Sequence, residues 1–119
     1  MCAKSIPLVY KKGWGSEQWI INTNLYCGKL LTFQEGKRCS FHYHKLKTET
    51  FFLDSGLIEI KFSYGDVLEQ AESTLLFPGE SFHVPLGLRH QMCAVEDSRL
   101  YEFSTEHFEE DSYRIVKGD

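Results

Sequence analysis

The sequence predicts an all-β protein, an antiparallel sandwich or small jelly-roll barrel. Three observations carry that expectation. Short runs of alternating apolar and polar residues recur at spacings of roughly 8–12 residues, separated by glycine-containing turns. The nine Phe and six Tyr favour strands over helices. No stretch before residue 105 has a helical period. A chain of 119 residues suits one domain, and no repeat, low-complexity tract or linker divides it. The expectation is therefore a single domain over 1–119, with an N-terminal arm at 1–12 and a C-terminal tail at 105–119.

Taken in order, Met1 to Lys12 reads as an arm that packs on or across the barrel. Gly13 to Glu17 reads as a turn, and Trp19-Ile20-Ile21-Asn22 opens the first strand. Tyr26 to Phe33 is the second strand, followed by a turn over Gln34 to Lys37, and Ser40 to His44 is the third. Thr50 to Leu53 and Leu57 to Ser63 read as a hairpin around Asp54-Ser55-Gly56. In its second arm Ile58, Ile60 and Phe62 alternate with Leu57, Glu59 and Lys61. Ser73 to Phe77, Ser81 to Val84, Gln91 to Val95 and Arg99 to Ser104 supply the remaining strands. A short helical turn is possible between Glu106 and Tyr113.

The chemistry concentrates in residues 36–56. His42 and His44 lie one residue apart on a strand, so their side chains leave the same face. The short polar segment Lys45 to Thr48 can turn the chain so that Glu49 returns beside them. Two imidazoles and a carboxylate converging on one point form a ligand set for a divalent transition metal. A fourth ligand is offered by His90, which follows the turn Pro85-Leu86-Gly87 and opens an apolar run. Such a set carries a net charge of −1 and suits Mn, Fe, Ni, Co or Zn as the one divalent cofactor. It leaves up to two positions open on an octahedral ion.

These two stretches resemble the paired signatures of the cupin superfamily. The first is G-x5-H-x-H-x(3,4)-E-x6-G, matched by Gly36, His42, His44, Glu49 and Gly56. The second is G-x5-P-x-G-x2-H-x3-N, matched by Gly79, Pro85, Gly87 and His90, with Ala94 in place of the final Asn. The resemblance implies a cupin jelly-roll with His42, His44, Glu49 and His90 as metal ligands. Within the superfamily, His-x-His-x-x-Lys-x-Glu and the late Glu102-Phe103-Ser104-Thr105 resemble the D-lyxose isomerase branch. They also resemble the sugar-isomerase-like cupins found with surface-polysaccharide and nucleotide-sugar genes. That likeness implies a sugar isomerase or epimerase working through a metal-stabilised enediolate on a monosaccharide or activated sugar. Lys47 would steady the developing charge, and Glu102 would be the general base between C1 and C2. The alternatives are an Fe(II)-dependent dioxygenase and a non-catalytic metal- or sugar-binding cupin.

Other residues have quieter readings. Lys47 is equally a solvated turn lysine, and Glu102 can face in or out. His83 reads as structural. His107 and Arg114 belong either to a mobile tail or to a subsite for a substrate phosphate or carboxylate. Tyr26, Phe41, Phe51 and Phe103 are expected in the core or the pocket wall. Cys2, Cys27, Cys39 and Cys93 have no close pairing and read as free, mostly buried thiols. A net charge of −4 gives no basic footprint for nucleic acid and no polybasic cluster for a membrane surface. No apolar run approaches the roughly 18 residues of a membrane span, and no signal-peptide core is present, so a cytoplasmic protein is the expectation. Sheet edges need covering, and the N-terminal arm could add a strand to a second copy. A homodimer acting on a small molecule, a sugar in the first instance, is expected.

Overall fold

The computed structural model describes residues 3–119, so the expectation for Cys2 lies outside the described residues. Eleven strands form two antiparallel sheets. They are β1 (Leu8–Lys12), β2 (Gly15–Asn22), β3 (Cys27–Phe33), β4 (Phe41–Tyr43), β5 (Glu49–Ser55) and β6 (Ile58–Ser63). β7 (Glu72–Leu76), β8 (Ser81–Val84), β9 (Arg89–Ala94), β10 (Ser98–Ser104) and β11 (Tyr113–Val116) follow. One sheet runs β1-β2-β3-β10-β5-β8, the other β11-β4-β9-β6-β7. The all-β double-sheet architecture expected from the sequence is present. Among the described residues no helix is long and apolar enough to cross a membrane.

The predicted hairpin around Asp54-Ser55-Gly56 does not form. β5 pairs with β10 and β8, whereas β6 pairs with β9 and β7, so the chain crosses from one sheet to the other at Gly56. Gly56 has φ of 94°, and a Cβ there would collide with Ser98 Oγ and the Asp97 carbonyl. The Ser98 hydroxyl instead accepts the N–H of Leu57 at 3.0 Å. Both a hairpin and a sheet corner need a residue at positive φ, and the local sequence cannot separate them.

Smaller corrections follow the same line. The first turn is tighter than expected: Lys12 pairs directly with Gly15, which makes Leu8–Lys12 of the predicted arm an edge strand and Gly15 to Glu17 part of β2. The tail holds a short 3-10 turn, Glu109–Asp111, and then β11, which pairs with β4.

Alternation places the core between the sheets. Leu53, Ile58, Ile60 and Leu100 are wholly buried, and Phe33, Phe51, Leu76, Val84 and Met92 pack with them. Each such side chain contributes about 1.5–3 kcal/mol of transfer free energy. Phe41 and Phe51 are buried as expected, but Tyr26 is 53 % and Phe103 56 % exposed. Phe103 alternates with Leu100 and Glu102 and so faces outward, while Tyr26 precedes β3. Cys27 is buried, and Cys39 and Cys93 are half-buried, all three free. Burial pushes the Cys39 thiol up to about 12, so it stays protonated at neutral pH.

The inward faces change character along their length. In β10 the inward series is Ser98, Leu100, Glu102; in β5 it is Glu49, Phe51, Leu53; in β3 it is Cys27, Lys29, Leu31, Phe33. Register sets Glu102 opposite Lys29 on one side and Phe51 on the other, with Ser104 opposite Glu49. One end of the sandwich is therefore packed with hydrocarbon and the other is lined by charge.

Candidate metal centre

At that charged end, His42 on β4 lies opposite His90 on β9, with ring centroids 4.5 Å apart. His44 follows β4 immediately. One ligand nitrogen from each of His42, His44 and His90 falls within 4.8 Å of the others. The orientation of each ring is set from behind. His42 Nδ1 is 2.9 Å from the Ser40 carbonyl, His44 Nδ1 2.9 Å from the Asp111 carbonyl, and His90 Nδ1 3.0 Å from the Leu88 carbonyl. A carbonyl can only accept, so each Nδ1 carries the proton and donates. Every Nε2 then presents a lone pair, as a metal-ligating histidine must.

Glu49 adds its carboxylate to this convergence. Its Oε2 lies 2.8 Å from His90 Nε2 and 3.3 Å from His44 Nε2. Yet these three buried atoms have no hydrogen-bond partner. Lone pairs facing one another in a buried space are costly unless a cation lies between them. A divalent metal ion satisfies all of them at once, so the donor set fits a divalent metal. Charge in the cluster behaves accordingly. Burial opposes ionisation of Glu49, yet its carboxyl is held well below its usual range, the charged state that the Lys47 ammonium 3.2 Å away favours. Burial holds His42 well below the usual histidine value and keeps it neutral.

Lys47 is not a solvated turn residue. It is 2 % exposed, and Glu102 is 4 % exposed and faces the interior. The three N–H donors of the Lys47 ammonium are all used: to Glu102 Oε2 at 3.0 Å, Glu49 Oε1 at 3.2 Å and His107 Nδ1 at 2.8 Å. Burial works against the charge of Lys47, but the two carboxylates overcome it and raise its pKa above that of an ordinary lysine. Burial, aided by Lys47 and Lys29, pushes His107 down to about 4. His107 is thus neutral near pH 7, accepting from Lys47 and facing Glu109 Oε1 at 3.2 Å through Nε2.

A second buried pair stands beside the first. Lys29 Nζ is 3.0 Å from Glu17 Oε1, which also accepts the Trp19 indole N–H at 2.8 Å, and the ammonium sits 4.4 Å from the Trp19 ring centre. Lys29, Glu17 and the metal-type cluster line one cavity of about 310 Å³, with Arg114 on its wall. The sequence reading missed Lys29, although a lysine in phase with Cys27, Leu31 and Phe33 was a usable signal. His83 stands apart from the site: it is exposed, and its Nδ1 is 3.1 Å from Thr50 Oγ1.

No protein-family model matches the sequence, and no curated protein matches it. Solved structures do match. The capsular polysaccharide assembling protein CapF from Staphylococcus aureus superposes with a TM-score of 0.80 at 20 % identity, over 93 % of this chain and 33 % of that one. KdgF from Halomonas sp. gives 0.74 at 17 % identity, over 89 % of this chain and 98 % of that one. Oxalate decarboxylase from Bacillus subtilis gives 0.77 at 13 % identity, over 91 % and 30 %. The chain thus spans about a third of CapF and of oxalate decarboxylase. Two antiparallel sheets enclosing a three-histidine cluster that could hold a metal define a β-sandwich of the jelly-roll kind. Its fold is the cupin fold. At 13–20 % identity these likenesses show the fold alone.

Proposed function

We propose that the chain is a metal-dependent cupin enzyme of the sugar isomerase or epimerase type. It would act on a monosaccharide or an activated sugar by moving a proton between adjacent carbons. One observation carries this reading: the Lys47 ammonium joins Glu102 at 3.0 Å to Glu49 at 3.2 Å. A base and a fixed cation thus stand directly beside the donor set His42, His44, Glu49 and His90. A divalent ion held there supplies Lewis acidity that polarises a carbonyl and acidifies the neighbouring C–H. Glu102 takes that proton from carbon and returns it to the adjacent carbon, while the hydroxyl proton passes from the second oxygen to the first as the carbonyl changes place. Lys47 holds Glu102 at 3.0 Å beside the site, and its positive charge stabilises the oxygen on which negative charge grows. A cavity of about 310 Å³ lies at the small end of ligand sites and suits one sugar ring. The description of CapF as a capsular polysaccharide assembling protein is in keeping with a carbohydrate substrate.

The test is solvent exchange. Metal-loaded protein incubated with aldoses and ketoses in deuterium oxide incorporates deuterium at the carbon beside the carbonyl. Glu102→Gln slows that exchange by about 10²–10⁴-fold with metal content unchanged. Equal exchange in the variant removes Glu102 from the mechanism. Oxygen uptake by iron-loaded protein without exchange transfers the site to the oxygenases, and ligand binding with neither reaction leaves a binding module.

We also infer a homodimer built on the edge strand β1. Its Leu8, Val9 and Tyr10 are all exposed, and among the described residues one edge of β1 has no neighbour in the sheet. Such an edge is a template for pairing with a second copy. Sedimentation at micromolar concentration is expected to give a dimer, and a monomer overturns the inference.

A further inference from the structure

Asp111 lies outside the cavity lining, yet it is buried and bound to the turn that carries the metal-type ligands. Its Oδ1 accepts the N–H of Lys45 at 2.9 Å, and its Oδ2 accepts the N–H of Lys47 at 3.1 Å. The N–H of Leu46 is shared between the two oxygens, each at 3.2 Å. Among the described residues no cationic side chain pairs with this carboxylate, so three successive peptide N–H groups hold its charge. The carbonyl of the same residue accepts His44 Nδ1–H at 2.9 Å.

One residue therefore governs both ends of a four-residue segment, with His44 at one end and Lys47 at the other. The clamp is itself fixed from the C-terminal side. β11 pairs Tyr113 with Tyr43 and Arg114 with His42. The Tyr43 and Tyr113 rings stack 5.1 Å apart, and Lys45 Nζ sits 4.5 Å from the Tyr113 ring centre.

We propose that Asp111 is a positioning residue for the metal centre. Its carboxylate fixes the turn from His44 to Lys47, and its carbonyl fixes His44 in the Nδ1–H tautomer. His44 then aims Nε2, and Lys47 its ammonium, at the same carboxylate, Glu49. The proposal rests on the metal reading made above, but its central measurement does not require the metal.

That measurement is nitrogen NMR of the histidines in metal-free wild-type protein. His44 is expected as the Nδ1–H tautomer, and the Nε2–H tautomer overturns the proposal. In Asp111→Ala the turn loses the carboxylate that anchors it to residue 111. The backbone carbonyl is no longer held against His44 and the tautomer becomes mixed, Co(II) affinity by chelator competition falls about 10–100-fold, and the Co(II) absorption spectrum changes. Asp111→Asn keeps the shape and one acceptor oxygen, and recovers part of the loss. An Asp111→Ala protein that melts earlier but keeps the wild-type tautomer, affinity and spectrum shows a merely stabilising role and overturns the proposal. If neither variant folds, the wild-type tautomer decides. If wild-type protein takes up no Co(II), the metal reading fails, while the tautomer in wild type and Asp111→Ala still judges Asp111.

Discussion

His90→Ala is expected to reduce bound transition metal from about one ion per chain to a small residue of that value, the behaviour of a site that loses one of its few protein ligands. His90 stands against all three of the other donors. It lies opposite His42 across the β4–β9 pair, its Nε2 is 2.8 Å from Glu49 Oε2, and its ring stands 5.6 Å from that of His44. At 1 % exposure no water can substitute without reorganising the pocket. Elemental analysis of untagged protein is the measurement, with His83→Ala as the matched control. His83 also lies on a strand but is exposed and outside the cavity that holds the cluster, so its removal leaves metal content unchanged. Full metal in His90→Ala would remove it from the ligand set, and no metal in the wild type would remove the set itself.

Lys47→Met is expected to be the most destabilising single change at the site. The substitution keeps the length of the side chain and deletes the charge that Glu49 and Glu102 share. Breaking a buried ion pair by removing one partner costs about 3–5 kcal/mol, because the remaining charge stays buried without compensation. Lys47 is 2 % exposed and its partners nearly as buried, so solvent screening does little to reduce this. Urea unfolding of metal-free protein at pH 7 measures the loss directly. Its pH dependence has a definite sign. Glu49 is held below its usual range in the wild type, so its stabilising share is present at neutral pH and is lost as pH falls through the acidic range. Without Lys47 that share shrinks, and uptake of a proton by a buried carboxyl relieves the variant. The gap between wild type and Lys47→Met therefore narrows in acid. A gap that is flat or widens towards pH 4–5 would contradict the charge account and point to lost packing.

The metal-type donors were legible because their geometry is local. His42 and His44 share a face by strand alternation, Lys45 to Thr48 is too short to do anything but turn, and Pro85-x-Gly87 ends one strand just before His90. Only the His42–His90 pairing across β4 and β9 joins distant segments, and the motif spacing carried it. The corner at Gly56 was not legible, since the same Asp-Ser-Gly serves a hairpin or a crossover equally well. What decides is whether β6 finds β9 and β7, a matter of partners elsewhere in the chain.

Lys47 and Glu102 show the same division from the side of charge. The sequence placed both near the metal-type ligands by resemblance, but left one as a possible surface residue and the other facing either way. The alternation of Leu100 with Glu102 held the right orientation, masked by the apolar Tyr101 and Phe103 on the outer face. Lys29 stood in phase with three apolar neighbours and passed as an exception, because a lysine on an inward face is tolerable only if a carboxylate waits there. That carboxylate, Glu17, arrives from the neighbouring strand β2. Asp111 gave no signal at all: its partners lie 64–67 positions away in the chain.

By itself, then, the sequence determined an all-β fold, the strands from β3 to β10 to within about two residues at each end but neither β1, β11 nor the start of β2, and a cluster of donors for a divalent metal. All of these depend on side-chain alternation and turn chemistry within a few residues. Only the tertiary structure decided which strands cross between sheets, that Lys47 and Lys29 are buried, and that a C-terminal aspartate clamps the ligand turn. A buried charge is stable only where an opposite charge or a row of N–H groups meets it, and those partners are brought by the packing of two sheets rather than by neighbours in the chain.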